Sequence, residues 1–213
     1  MQLARISRQA LIAASAASTL ALSAGVPVHY GFSAQINAPM SELHSDIDGK
    51  PGLGGSFQVS FETSDRVIIR PRVDIDVYPL AERRRTGTSI RERIDLGSVG
   101  IGADVLYAFS GRNDQGFYGL GGVGLLRWTQ TYSTRDTSGH HGWDEDDTDR
   151  SRVSPWVALG VGYQFNRIVG LEWRTVGSKY DGPKESGFSP TTAGVPKESK
   201  TAVVSQVAVT CRW

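Results

Sequence analysis

The chain ends on Ala202-Val203-Val204-Ser205-Gln206-Val207-Ala208-Val209-Thr210-Cys211-Arg212-Trp213, and this stretch decides the reading of the fold. In two-residue steps, Val203, Ser205, Val207, Val209, Cys211 and Trp213 fall on one face, whereas Ala202, Gln206, Ala208, Thr210 and Arg212 fall on the other. A period of two marks a strand with one apolar face. If that face meets lipid, the sheet cannot keep an open edge, because hydrocarbon offers no partner for free N–H and C=O groups. The last strand must then close onto the first.

The amino terminus points to the same environment. Arg5 and Arg8 precede an uncharged apolar run from Ala10 to Leu22, and Leu22-Ser23-Ala24 supplies small residues for cleavage. This predicts a signal peptide over 1–24 and a mature domain over 25–213. The run is shorter than the roughly 20 residues a bilayer helix needs. A net charge of +1 with 39% hydrophobic residues leaves no nucleic-acid footprint. Cys211 is the only cysteine, which excludes an intramolecular disulfide scaffold.

Seven further segments share the alternation. Val28, Tyr30, Phe32, Ala34 and Ile36 alternate with His29, Gly31, Ser33, Gln35 and Asn37, and Phe57, Val59 and Phe61 with Ser56, Gln58, Ser60 and Glu62. The third segment sets Val67, Ile69, Pro71, Val73, Ile75 and Val77 against Arg70, Arg72, Asp74 and Asp76. In the fourth, Val99, Ile101, Val105 and Tyr107 oppose Ser98, Gly100, Gly102 and Asp104. The fifth is read with Tyr118, Leu120, Leu126 and Trp128 outward and Gly119, Gly121 and Arg127 inward, although Val123 and Leu125 blur the pattern. Val157, Leu159, Val161, Tyr163 and Phe165 alternate with glycines and Gln164, and Val169, Leu171 and Trp173 with Glu172 and Arg174.

Short turns (63–66, 110–116, 166–167) alternate with long polar connections (39–52, 79–93, 131–154, 177–200). The reading is therefore all-β: an eight-stranded antiparallel up-and-down transmembrane β-barrel after a cleaved signal peptide. Both termini fall on the short-turn, periplasmic rim and the long loops outside. Phe61, Phe109, Phe117, Phe165 and Trp213 collect near one rim, with Trp128 and Trp173 toward the other, as interfacial girdles would.

On these features, together with glycine-rich stretches such as Gly160-Val161-Gly162-Tyr163-Gln164-Phe165, the chain resembles the OmpA/OmpX-like small outer-membrane β-barrel family over nearly all its mature length. The resemblance implies bacterial outer-membrane lipids and lipopolysaccharide as surroundings and the outer-membrane insertion machinery as a partner. Trp213, where family members usually end in Phe, takes the place of the assembly signal. Pro71 in mid-strand departs from the pattern and predicts a bulge or local break.

Glu62, Arg70, Arg72, Asp74, Asp76, Asp104, Arg127, Glu172 and Arg174 are the lumen ion-pair candidates. An eight-stranded barrel has room inside for side chains and little else, so mixed charges there form a plug. The flanking arginines would hold Asp74 and Asp76 ionised, which argues against general acid catalysis. No positioned nucleophile and base is recognisable, and the reading is non-enzymatic. Arg83, Arg84 and Arg85 on one long connection, and Asp144, Asp146 and Asp147 on another, are the surface-loop candidates. The arginines suit an anionic lipopolysaccharide headgroup or glycan, and the carboxylates a hard cation, though their spacing lacks the EF-loop pattern. No metal or cofactor is assigned. Gly119 to Gly124 matches a dinucleotide fingerprint only formally, because a strand rather than a helix follows it; glycines facing the lumen are read as making room for Arg127. The reading is a structural or surface-interaction barrel acting through its extracellular loops. The alternatives are a narrow or gated pore, or a soluble lipocalin-like carrier with an apolar interior. Amino-terminal sequencing of membrane-fraction material should begin near Gly25; an intact Met1 there would exclude the cleavage.

Overall fold

The computed structural model describes the backbone of residues 25–84, 90–136, 144–183 and 197–213; side chains of strand ends 79–84, 90–95, 131–136, 144–150, 183 and 197 lie outside the described set. Eight strands, β1 (Val28–Met40), β2 (Gly52–Glu62), β3 (Val67–Arg84), β4 (Ile90–Ala108), β5 (Gly116–Asp136), β6 (Asp144–Gln164), β7 (Val169–Pro183) and β8 (Lys197–Arg212), are joined by short turns on one rim. Among the described residues one short helix, α1 (Ser41–Asp46), follows β1 on the other rim. Each strand pairs antiparallel with its neighbours in sequence and β8 pairs with β1, which closes the barrel. The seam runs from Gly31↔Arg212 to Met40↔Val203. Beyond its lower end, Trp213 N–H donates to the Tyr30 carbonyl at 2.9 Å and Tyr30 N–H to the Trp213 carbonyl at 3.1 Å.

Alternation decides what faces outward. Phe32, Ile36, Leu53, Phe57, Ile75, Val105, Val123, Leu159, Val161 and Val207 are among the exposed apolar side chains, Leu159 the most open at 74%. A soluble monomer rarely shows apolar patches beyond a few hundred Å², so a belt around a whole barrel marks a surface for an apolar surrounding. Near the short-turn rim, aromatics pair edge to face: Phe32 with Trp213, Tyr107 with Phe109, Phe117 with Tyr163, and Tyr163 with Phe165, at centroid separations of 4.7 to 5.9 Å.

Pro71 interrupts the β2–β3 ladder without shifting it. Pairing stops at Gln58↔Arg72 and resumes in the same register at Phe61↔Ile69, as expected where one donor is missing.

Two expectations change. The connections 79–93 and 131–154 are largely strand, since β3 continues to Arg84, β4 begins at Ile90, β5 continues to Asp136 and β6 begins at Asp144. Above the belt neither face need be apolar, so the period-two signal disappears although pairing continues. The facing of β5 is also reversed: Tyr118, Leu120, Leu126 and Trp128 are buried inside, while Val123 and Leu125 are exposed outside. The lumen beside β5 is itself apolar, which left this strand without a polar face to identify. Trp128 therefore does not belong to an outer girdle.

An arginine in mid-belt should be far worse than one at the rim. Leu159→Arg should cost about 2 to 4 kcal/mol and Val153→Arg, nearer the rim opposite the short turns, about 0 to 1 kcal/mol. Folding titrations into lipid bilayers measure both; equal losses would contradict the depth assignment.

Candidate functional site: a filled and capped lumen

Inward positions of β3, β4 and β7 bring the charges together at mid-barrel. Asp104, fully buried, meets Arg70 at 2.8 Å, Arg72 at 2.9 Å and Arg174 at 3.4 Å. Glu172 meets Arg70 at 2.8 Å and Arg72 at 3.6 Å, and accepts from the Tyr118 hydroxyl at 3.2 Å. Arg72 also holds Asp74 through its Nε at 3.0 and 3.1 Å. One layer higher, Asp76 accepts from Gln35 at 2.7 Å, Asn37 at 2.6 Å and Ser98 at 3.3 Å, all neutral donors.

Apolar layers close the lumen below and above this plug. Toward the short-turn rim, Ile68, Leu106, Tyr118 and Leu120 form a buried cluster. Toward the other rim, Tyr78, Leu96, Leu126, Trp128, Trp156, Val176, Tyr180 and Val204 form a second cluster that also takes in Leu43 of α1 and Ile47 just after it. The Arg174 guanidinium lies 5.1 Å from the centre of the Trp156 ring, which joins the charged layer to the aromatic one. Glycine makes this possible on β5. A Cβ at Gly122 would run into the Asp104 carboxylate, and one at Gly124 into the Trp156 indole and the backbone of β4.

The helix is a lid. Asp46 takes the Lys200 ammonium at 2.9 and 3.1 Å and the Tyr180 hydroxyl at 2.6 Å, and the Ser41 hydroxyl donates to the Thr201 carbonyl at 2.9 Å. The chain then turns back into β2 through left-handed Asp48 and Gly49, with φ of 54° and 66°. Between Asp76, Trp128, Trp156 and Arg174 a cavity of about 20 Å³ remains, room for a single water.

The short-turn mouth is open and polar, a recess of about 700 Å³ lined in part by His29, Glu62, Arg112, Asp114, Arg167 and Arg212. Glu62 lies there, 3.4 Å from His29 and 3.6 Å from Arg212, and not in the central plug. Asp114, half-buried at this mouth, accepts from Arg112 at 2.9 Å, and this hydrogen bond holds its carboxyl below the usual carboxylate range.

Of the nine lumen candidates, the structure brings together Arg70, Arg72, Asp74, Asp104, Glu172 and Arg174, with Asp76 on the adjoining layer. Arg127 does not join them: with β5 reversed it lies on the outer face, where it donates to Ser151 at 3.2 Å. The glycines expected to make room for it make room for Asp104 and Trp156 instead. Arg83 and Arg84 sit on the backbone of β3 and Asp144, Asp146 and Asp147 on that of β6, with side chains outside the described set; Arg85 lies outside the described residues altogether. The residues the sequence reading missed are the inward Tyr78, Trp128, Trp156 and Tyr180. Strand parity placed Tyr78 beside Asp76 and Trp156 beside Ala158, so the signal was present for these two.

By its own strand pairing the chain is a closed eight-stranded up-and-down barrel with an apolar outer belt and a filled lumen. No protein-family model matches the sequence, and no curated protein matches it. Among solved structures it is similar to Ail, the attachment invasion locus protein of Yersinia pestis, at 8% identity over 88% of this chain and 97% of that one, with a TM-score of 0.46. It is also similar to Neisserial surface protein A (16%, covering 87% and 95%, TM-score 0.45) and to a major outer membrane protein from Thermus thermophilus (14%, covering 86% and 99%, TM-score 0.44). The likeness is one of fold, and no role passes from these proteins to this chain.

Asp104→Asn should leave three guanidinium groups without their shared carboxylate. Removing one partner of a buried ion pair typically costs about 3 to 5 kcal/mol. Denaturant unfolding of the refolded barrel reads the loss; an unchanged midpoint would show that water, not Asp104, balances the arginines.

Proposed function

We propose that this protein is a non-enzymatic bacterial outer-membrane barrel whose lumen is sealed and whose role is carried by the parts that project outside. The observation that carries the reading is the three-tier closure of the interior: an apolar layer, an ion-paired layer, and an aromatic layer under the α1 lid. A conducting path needs continuous water, and the aromatic tier with its one-water cavity speaks against it. A soluble carrier needs an interior of roughly 300 Å³ or more for its ligand, together with a polar exterior. The filled lumen and the apolar belt speak against both requirements. In this reading the termini are periplasmic, lipid and lipopolysaccharide cover the belt, and the outer-membrane insertion machinery assembles the barrel with Trp213 as its terminal signal. Trp213 suits that task because it completes the β1–β8 seam through two backbone bonds and packs on Phe32.

In planar bilayers the purified protein should show no steady conductance, and Leu43→Asp, which loosens the lid, should not open one because the charged and lower apolar layers remain. A wide, steady current from the unmodified barrel would overturn the sealed-lumen reading.

A further inference from the structure

The buried charges of the plug do not balance. Arg70, Arg72 and Arg174 bring three guanidinium groups to mid-barrel, whereas Asp74, Asp76, Asp104 and Glu172 bring four carboxyls, and all seven side chains are buried. Three of the carboxyls have cationic partners: Asp104 meets all three arginines, Glu172 meets Arg70 and Arg72, and Asp74 meets Arg72. Asp76 is the exception. Among the described residues no cation lies within ion-pairing distance of it, and its partners are the uncharged amides of Gln35 and Asn37 and the Ser98 hydroxyl. The charged groups nearer the two mouths neutralise one another, Asp46 with Lys200 and Asp181 with Arg152 at one end, Glu62 with Arg212 at the other. An ionised carboxylate left alone in a sealed interior loses its hydration with nothing in return, and such a group takes up a proton instead. The contact lengths agree. Gln35 and Asn37 both approach Asp76 Oδ1, at 2.7 and 2.6 Å. These are separations of O–H···O bonds, about 2.7 Å, rather than of N–H···O bonds, about 2.9 to 3.0 Å. Turned about its last bond, an amide presents its oxygen where its nitrogen stood.

We propose that the sealed lumen binds one proton, held on the Asp76 carboxyl between the amides of Gln35 and Asn37, and that this proton makes the plug neutral. The proposal rests on the sealed-lumen reading, because bulk water inside the barrel would solvate the carboxylate. The proton comes from solvent and forms one O–H bond on the carboxylate; nothing is oxidised or reduced. Asp76 then donates to the oxygen of one amide and accepts from the nitrogen of the other and from Ser98. The groups that face it from each neighbouring strand fit a neutral acid. On β3, Asp74 lies on the same face and adds a like charge, and Tyr78 is uncharged. Gln35 and Asn37 come from β1 and Ser98 from β4. Across the one-water cavity lie Trp128 of β5, Trp156 of β6, Arg174 of β7 and Gln206 of β8. Arg174 is the one cation of this set, and its guanidinium is engaged with Asp104 at 3.4 Å and with the Trp156 ring.

The test compares the refolded full-length barrel with Asp76→Asn and, as a control at the short-turn mouth, Asp114→Asn. A carboxamide offers the same donor and acceptor as a protonated carboxyl, so Asp76→Asn should fold and keep its denaturant midpoint near neutral pH. Infrared spectra at neutral pH should show the C=O stretch of a protonated carboxyl in the unmodified barrel and in Asp114→Asn, and not in Asp76→Asn. Equilibrium unfolding supplies a second readout. The unfolded chain releases this proton in the ordinary Asp range, about 3.9, while the folded barrel keeps it, so stability falls as pH rises. Between about pH 5 and 7 the unfolding constant of the unmodified barrel relative to Asp76→Asn should therefore rise about tenfold per pH unit. A flat or falling ratio, no carboxyl band, or failure of Asp76→Asn to fold would overturn the proton. A ratio that follows sodium or potassium concentration at fixed pH, with no band, would overturn it in favour of a bound metal ion. Steady conductance of the unmodified barrel would overturn the sealed lumen instead, whereas a silent barrel without the band would sink the proton alone.

Discussion

A peptide group in hydrocarbon has no water to turn to, and everything else in this structure follows from satisfying that group within the sheet. Each strand from β1 to β8 is paired on both sides through the belt, with a break between β2 and β3 only beside Pro71, and the β1–β8 seam is the step that removes the last edge. Closure at eight strands fixes the width of the interior, which side chains alone can fill. The polar residues forced inward by alternation therefore cannot be left to bulk water. They must find one another.

They do so in a way that ties strands distant in sequence. Arg70 and Arg72 come from β3, Asp104 from β4, Glu172 and Arg174 from β7. Desolvating these groups offsets most of their mutual attraction, so the cluster adds little net stability compared with an apolar filling of the same shape. Its consequence is register. A slip of one residue in β3 would turn Arg70, Arg72, Asp74 and Asp76 toward lipid and strand Asp104 inside, and that penalty singles out one pairing. Asp76, held by neutral donors, stands apart from the guanidinium groups and needs no cation to be satisfied.

The sequence disclosed most where the two environments differ most. On β3, lipid and plug face each other across one strand, and the alternation of Ile69, Val73 and Ile75 with Arg70, Arg72 and Asp74 placed these side chains. On β5 the inside is as apolar as the outside, so Leu120 and Leu126 looked like belt residues and Arg127 like a lumen charge. The lid was hidden for another reason. Leu43 and Ile47 are two apolar residues in a polar connection, and nothing in so short a segment shows that it folds back over the mouth rather than out into solvent. Strand pairing above the belt was invisible because water on both faces removes the periodicity from which strands are read.

The wall of the barrel does not end at one height. Four strands, β1, β2, β7 and β8, complete the wall and hold the lid through Asp46, Lys200 and Tyr180. β3 runs on past its last described pair with β2 and β6 begins before its first with β7, while the β7–β8 hairpin likewise continues past both outer partners to Pro183↔Lys197. The interior between them is filled by side chains from every strand. Beyond the belt the sequence turns from glycine and valine to a basic run on β3 and an acidic run on β6, as it can where neither face of a strand has to be apolar. The same constraint that forbids an open edge inside the bilayer ends at its surface, so strand pairing beyond it is no longer obligatory.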